Sequence, residues 1–170
     1  MEPFELTTAR LRLRHLGLAD FDAMREIHGD DETMSFYGGA FPPEKTTDWI
    51  ERSLESYAEN GFGSWAVLHR EEARLVGLCG ITYQLIDGER IPEIGYQFNR
   101  SFWGQGLATE AAIACRNYGF KELGFPRLVS WMATDNVSSR RVAERVGMKL
   151  WKEVVNPKSD RLHAVYAVEP

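Results

Sequence analysis

Gly104 and Gly106 stand two residues apart, immediately before the helix-forming run Leu107-Ala108-Thr109-Glu110-Ala111. Glycine lets a backbone N–H approach a ligand with no Cβ in the way. The first turn of a helix leaves N–H groups unpaired and carries a partial positive charge. Together these features make a cradle for phosphate or pyrophosphate, to which the Thr109 hydroxyl can add a donor. An ordinary tight turn capped by small residues is the plainer explanation of the same pattern.

The neighbours of the turn narrow its chemistry. No Lys-Ser or Lys-Thr follows Gly106, which excludes a Walker A loop. The third glycine of a dinucleotide fingerprint is missing, and the motif lies late in the chain, where a Rossmann domain would open with it. Asp135, at the end of the next expected strand, keeps a ribose-binding alternative open. His15, His28, His69 and His163 form no i,i+4 pair and have no cysteine companion, so no metal site is expected. No G-x-S-x-G elbow is present to support a serine hydrolase.

Period-two alternation predicts seven strands, at 8–14, 64–69, 74–83, 91–98, 128–133, 148–155 and 162–168. Helical spacing predicts helices from about Ala19 to Gly29, from Asp48 onward, over 107–123 and over 136–146. Asp48 and Glu51 approximate a capping box for the second of these. Residues 30–43 look irregular, with Gly38-Gly39 and Pro42-Pro43 as breakers. The expected architecture is α/β: a mixed seven-stranded sheet with helices on both faces.

Composition bounds the rest. The chain has 170 residues, 44% hydrophobic and 26% charged, the balance of a globular protein, and one domain over 1–170 is expected. Its net charge of −5 argues against nucleic acid as a partner. No apolar run approaches a membrane span, and the acidic start Met1-Glu2-Pro3-Phe4-Glu5 is unlike a signal peptide. Cys79 and Cys115 form no CxxC pair and are expected as buried free thiols, which suits a cytoplasmic setting.

Three segments carry a more specific resemblance. Trp103-Gly104-Gln105-Gly106-Leu107-Ala108-Thr109-Glu110-Ala111 resembles the acyl-CoA pyrophosphate loop of the GNAT acetyltransferases, in its RimJ/RimL-type form. Thr8-Ala9-Arg10-Leu11-Arg12-Leu13-Arg14, followed by Asp20, resembles the opening strand and first helix of that branch. Asn136 to Met148 resembles its late helix, and the match covers roughly residues 7–155 in order.

The resemblance implies a GNAT fold and transfer of an acetyl group from acetyl-CoA to a primary amine, by direct attack in a ternary complex. The donor would be held by Ile94, Gly95, Tyr96 and Phe98 on the strand before the loop. The run Trp103, Gly104, Gln105, Gly106, Leu107, Ala108 and Thr109 would take the pyrophosphate, and Asn136 would add a contact. Glu93, on the same strand, is the candidate general base; a solvated strand-end carboxylate is the alternative. Ala143 stands where many members place a proton-donating Tyr. That role then falls to Ser139, which could equally be a capping hydroxyl, as Asn136 could be only an N-cap. Phe36, Tyr37, Phe41 and Trp49 either wall an acceptor pocket or pack in the core.

Protein N-termini, amino acids, polyamines and antibiotics are acceptors in this branch, whose members are monomers or homodimers. A non-catalytic acyl-CoA-binding module and a nucleotide-binding protein are the competing readings.

Overall fold

The computed structural model describes residues 4–170. In chain order the elements are β1 (Glu5–Thr7), β2 (Leu11–His15), α1 (Phe21–His28), α2 (Pro43–Asn60), β3 (Ser64–His69), β4 (Arg74–Ile86) and β5 (Glu89–Phe98). They continue with α3 (Leu107–Lys121), β6 (Leu128–Ala133), α4 (Val137–Arg145), β7 (Lys149–Asn156) and β8 (Arg161–Val168). Among the described residues the strands form one mixed sheet of eight, in the order β1-β2-β3-β4-β5-β6-β8-β7. Every neighbouring pair is antiparallel except β5–β6.

The sheet has one strand more than the alternation predicts. Glu5–Thr7 is too short to show a period, and its pairing with Arg12–Arg14 of β2 makes it a strand. The second helix also begins earlier than expected. Pro43 occupies its first turn, where a missing N–H costs nothing, so Pro42-Pro43 starts the helix instead of breaking the chain. Asp48 and Glu51 therefore lie inside α2, and they do not cap it.

Helices cover both faces, which is why β4 is buried almost continuously from Leu75 to Ile81. On one face Met24 and Ile27 of α1 and Ile50 of α2 pack on Ala66, Leu68, Leu75 and Leu78. On the other, Leu107, Ala111, Ala112 and Cys115 of α3 and Ala143 of α4 pack on Leu11, Val67, Cys79 and Ile94. The turn after β2 is held by Asp20, whose carboxylate takes two hydrogen bonds from Arg14 and one from the Gly17 N–H. Cys79 and Cys115 meet inside the second core with sulfurs 3.5 Å apart, both as free thiols. No described helix is long and apolar enough to cross a membrane.

Candidate active site

β5 and β6 are aligned in parallel at a single pair, Glu93 opposite Val129, and then part. The unbroken register of β5 with β4 decides which main-chain groups face the opening. The Ile81 N–H turns to β3, bonding Gly63 O, so the facing residue Ile94 presents its own polar groups toward β6. Alternation then sends the main chains of Tyr96 and Phe98 the same way. Ser130 Oγ donates to the Ile94 carbonyl at 2.7 Å, and Trp103 Nε1 donates to the Phe98 carbonyl at 2.8 Å. The Gly95 main chain points instead to β4.

Beyond Phe98, Asn99 accepts the Ser101 N–H at 3.0 Å and starts a short turn that leads to Trp103. Gly104 and Gly106 both have φ of +76°, a left-handed conformation that costs any other residue strain. The helical ladder of α3 begins with the Glu110 N–H on the Gly106 carbonyl. Among the described residues the N–H groups of residues 104–109 have no acceptor. The Thr109 hydroxyl is likewise buried without a partner. Asn136 is the N-cap of α4, its Oδ1 accepting the Ser139 N–H at 3.1 Å. The Ser139 carbonyl receives the Tyr96 hydroxyl at 2.8 Å, so β5 and α4 are tied across the opening. Ala143 is fully buried in the core beneath α4.

Glu93, Gly95 and Gln97 share the opposite face of β5, toward α1 and α2. Glu93 is only 8% exposed, and burial pushes its carboxyl up to about 7. Hydrogen bonds from the Gln84 side chain and the Trp131 N–H pull the other way. A Cβ on Gly95 would meet nothing within 4 Å, so the face is hollow between the two polar side chains. Gln97 Oε1 pairs with His28 Nε2 at 3.0 Å, His28 Nδ1 lies 3.3 Å from Thr46 Oγ1, and Arg25 donates to that hydroxyl at 3.0 Å. Burial lowers His28 to about 4, so the ring is neutral at pH 7. Gln97 Nε2 has no partner among the described residues.

Tyr37 stands over this face. Burial of its hydroxyl raises its pKa and so disfavours ionisation, the Gln97 amide opposes the rise and the Glu93 charge adds to it. Phe41 and Trp49 pack edge-on against His28, whereas Phe36 and Tyr37 remain well exposed. Two of the four aromatics thus pack against His28 and two stay exposed.

Glu93 lies where β5 and β6 part, and the glycine turn follows the far end of β5. Sequence reasoning missed Gln97, His28 and Thr46. The available signal was weak: Gln97 shares a strand face with Glu93, but His28 lies 69 residues away from it. Arg140 of α4 donates to the Thr134 carbonyl and to the Tyr166 hydroxyl.

Residues 10–149 match the family model for the acetyltransferase (GNAT) domain. The chain belongs to the GNAT acetyltransferases. This acyltransferase is 32% identical over 145 residues to an uncharacterized N-acetyltransferase, YnaD, of Bacillus subtilis, with 85% of this chain and 82% of that one covered. It is 31% identical to an acetyltransferase of Agrobacterium tumefaciens of known structure, with a TM-score of 0.85 over 100% of this chain and 96% of the other. The fold is also that of RimL, a ribosomal L7/L12 α-N-protein acetyltransferase solved with coenzyme A. There the TM-score is 0.80 at 17% identity, over 99% and 98% of the two chains.

Proposed function

We propose that this enzyme transfers an acetyl group from acetyl-CoA to a primary amine by direct attack in a ternary complex. One observation carries the reading: the sheet parts immediately beyond Glu93, beside a turn whose N–H groups lack acceptors. The donor's pyrophosphate fits the N–H groups of residues 104–109, with the Trp103 indole fastening the turn to β5. Its pantetheine arm fits the polar main-chain edge of Ile94, Tyr96 and Phe98. Gly95 contributes space on the acceptor face and no main-chain contact. Asn136 lies at the α4 end of the same opening.

The amine must lose a proton before its lone pair can attack the thioester carbonyl. Glu93, with a carboxyl at about 7, is half ionised near neutral pH and serves as the base. Main-chain N–H groups on the gap side of β5 face the charge that develops on the carbonyl oxygen. The C–S bond then breaks, the amine becomes an amide and the departing sulfur takes a proton. Ser139, whose carbonyl receives the Tyr96 hydroxyl, is assigned that donation, its hydroxyl taking a proton back from solvent as it gives one to the sulfur. The Tyr96 hydroxyl is already committed as a donor to the Ser139 carbonyl.

The test is thiol release from acetyl-CoA in the presence of a panel of peptide N-termini, amino acids, polyamines and amine antibiotics. The reading expects turnover with at least one class. Tight CoA binding without turnover of any amine would instead favour a non-catalytic acyl-CoA-binding protein. Stabilisation by NAD and not by CoA would favour a nucleotide binder.

A further inference from the structure

The glycine turn is fastened to the opposite end of the chain by a set of charged contacts. Glu110, in the first turn of α3, accepts the Thr8 hydroxyl at 2.6 Å and the Arg10 N–H at 2.8 Å on one oxygen. Its other oxygen takes Arg10 Nε at 2.7 Å. Arg10 Nη1 reaches past the carboxylate to the Gln105 carbonyl at 2.8 Å, inside the turn itself. Thr8 and Arg10 lie between β1 and β2, about a hundred residues earlier in the chain.

A carboxylate in the first helical turn is awkward beside a diphosphate, because like charges repel at the place where the dipole favours an anion. Arg10 offsets that charge. The same guanidinium takes the Gln105 carbonyl, so that oxygen is held away from the N–H groups that follow it. Arg10 is 45% exposed on its side chain, so the ion pair itself adds little to fold stability. The contacts do their work on the shape and charge of the turn.

We propose that Arg10 and Glu110 are positioning residues, a brace that holds the glycine turn open for the diphosphate of the donor. The proposal rests on the acetyl-CoA reading above. The brace acts only on the diphosphate end of the donor, so its loss is felt by acetyl-CoA and not by S-acetylpantetheine, which lacks diphosphate and nucleotide.

The experiment measures acetyl-CoA affinity by calorimetry, and the rate with each donor, for wild type, Arg10→Ala, Arg10→Lys and Arg10→Ala/Glu110→Gln. Arg10→Ala is expected to weaken acetyl-CoA binding about ten-fold, the scale of a lost charge-assisted pair. Its rate with S-acetylpantetheine should fall less than about two-fold. Arg10→Lys keeps the charge without the planar fork and falls between. The double variant recovers part of the loss, because the uncompensated carboxylate is gone. Equal losses with both donors, or unaltered acetyl-CoA affinity, would overturn the brace. If Arg10→Ala does not fold, Arg10→Lys and a Glu110→Gln single variant carry the same comparison. A folded wild type that binds no acetyl-CoA overturns the donor reading and the brace with it; wild-type binding with unaffected variants overturns the brace alone.

Discussion

On the α3–α4 side of the parted strands the protein offers main-chain groups: the N–H row of residues 104–109 and the gap-facing edge of Ile94, Tyr96 and Phe98. On the α1–α2 side it offers side chains: Glu93, Gln97 and Tyr37, backed by His28, Thr46 and Arg25. Main-chain recognition needs only that the backbone be held in one shape, and two left-handed glycines and a strand that leaves its neighbour suffice. Side-chain recognition needs particular residues from several elements to converge. The first kind suits a cosubstrate common to a family; the second can change its acceptor by changing a few residues.

The largest effect expected from breaking this division is at Glu93. Glu93→Gln removes the proposed base and should lower turnover by about 10²–10⁴-fold, with acetyl-CoA affinity little changed. The same variant should be more stable at neutral pH. Glu93 has its carboxyl raised from 4.5 to about 7 in the folded state. Above 4.5 the unfolded chain loses its proton first, so stability drains away as pH rises through that window. An uncharged amide escapes the loss, which is worth roughly 1–3 kcal/mol at pH 7.5. Thermal melts at pH 4 and pH 7.5 check this: the gain should be present at the higher pH and absent at the lower. A stabilised, inactive variant is the signature of a functional strain in the core.

The next effect is on the donor side. Gly106→Val forces a β-branched residue to φ near +76° and should weaken acetyl-CoA binding about ten-fold, from strain of about 1–2 kcal/mol. Binding measured by calorimetry should suffer while the Glu93 titration stays where it was. A smaller and opposite selectivity is expected at Gly95. Gly95→Leu fills the hollow between Glu93 and Gln97. It should raise KM for the amine several-fold and leave acetyl-CoA affinity within about two-fold of wild type, on the scale of one misplaced side chain. If Gly95→Leu weakens the donor as much as the amine, the two faces are not separable.

The same contrast explains what could be read from the sequence. The glycine turn, β5, α3 and the α4 cap are contiguous, and local rules of dihedral angle, periodicity and capping reach them. Glu93 was within reach because it sits on the strand that feeds the turn. Gln97 and His28 were not, because a pairing across 69 residues leaves no periodic trace. Tyr37 lies in a segment without regular pattern, where only the folded chain separates its role from that of Phe41. The missed strand Glu5–Thr7 has the same cause, for its existence depends on a partner and not on its own three residues. Pro43 shows the converse error, in which a residue that breaks helices in their interior begins one.

A buried carboxyl stands, half ionised at neutral pH, where the sheet opens. Carbon-13 NMR of the side-chain carboxyls, with Glu93→Gln to assign the signal, titrates that group directly in the intact protein. A midpoint near 7 is expected for Glu93. A midpoint near the ordinary 4.5 would mean a solvated carboxylate and would contradict it.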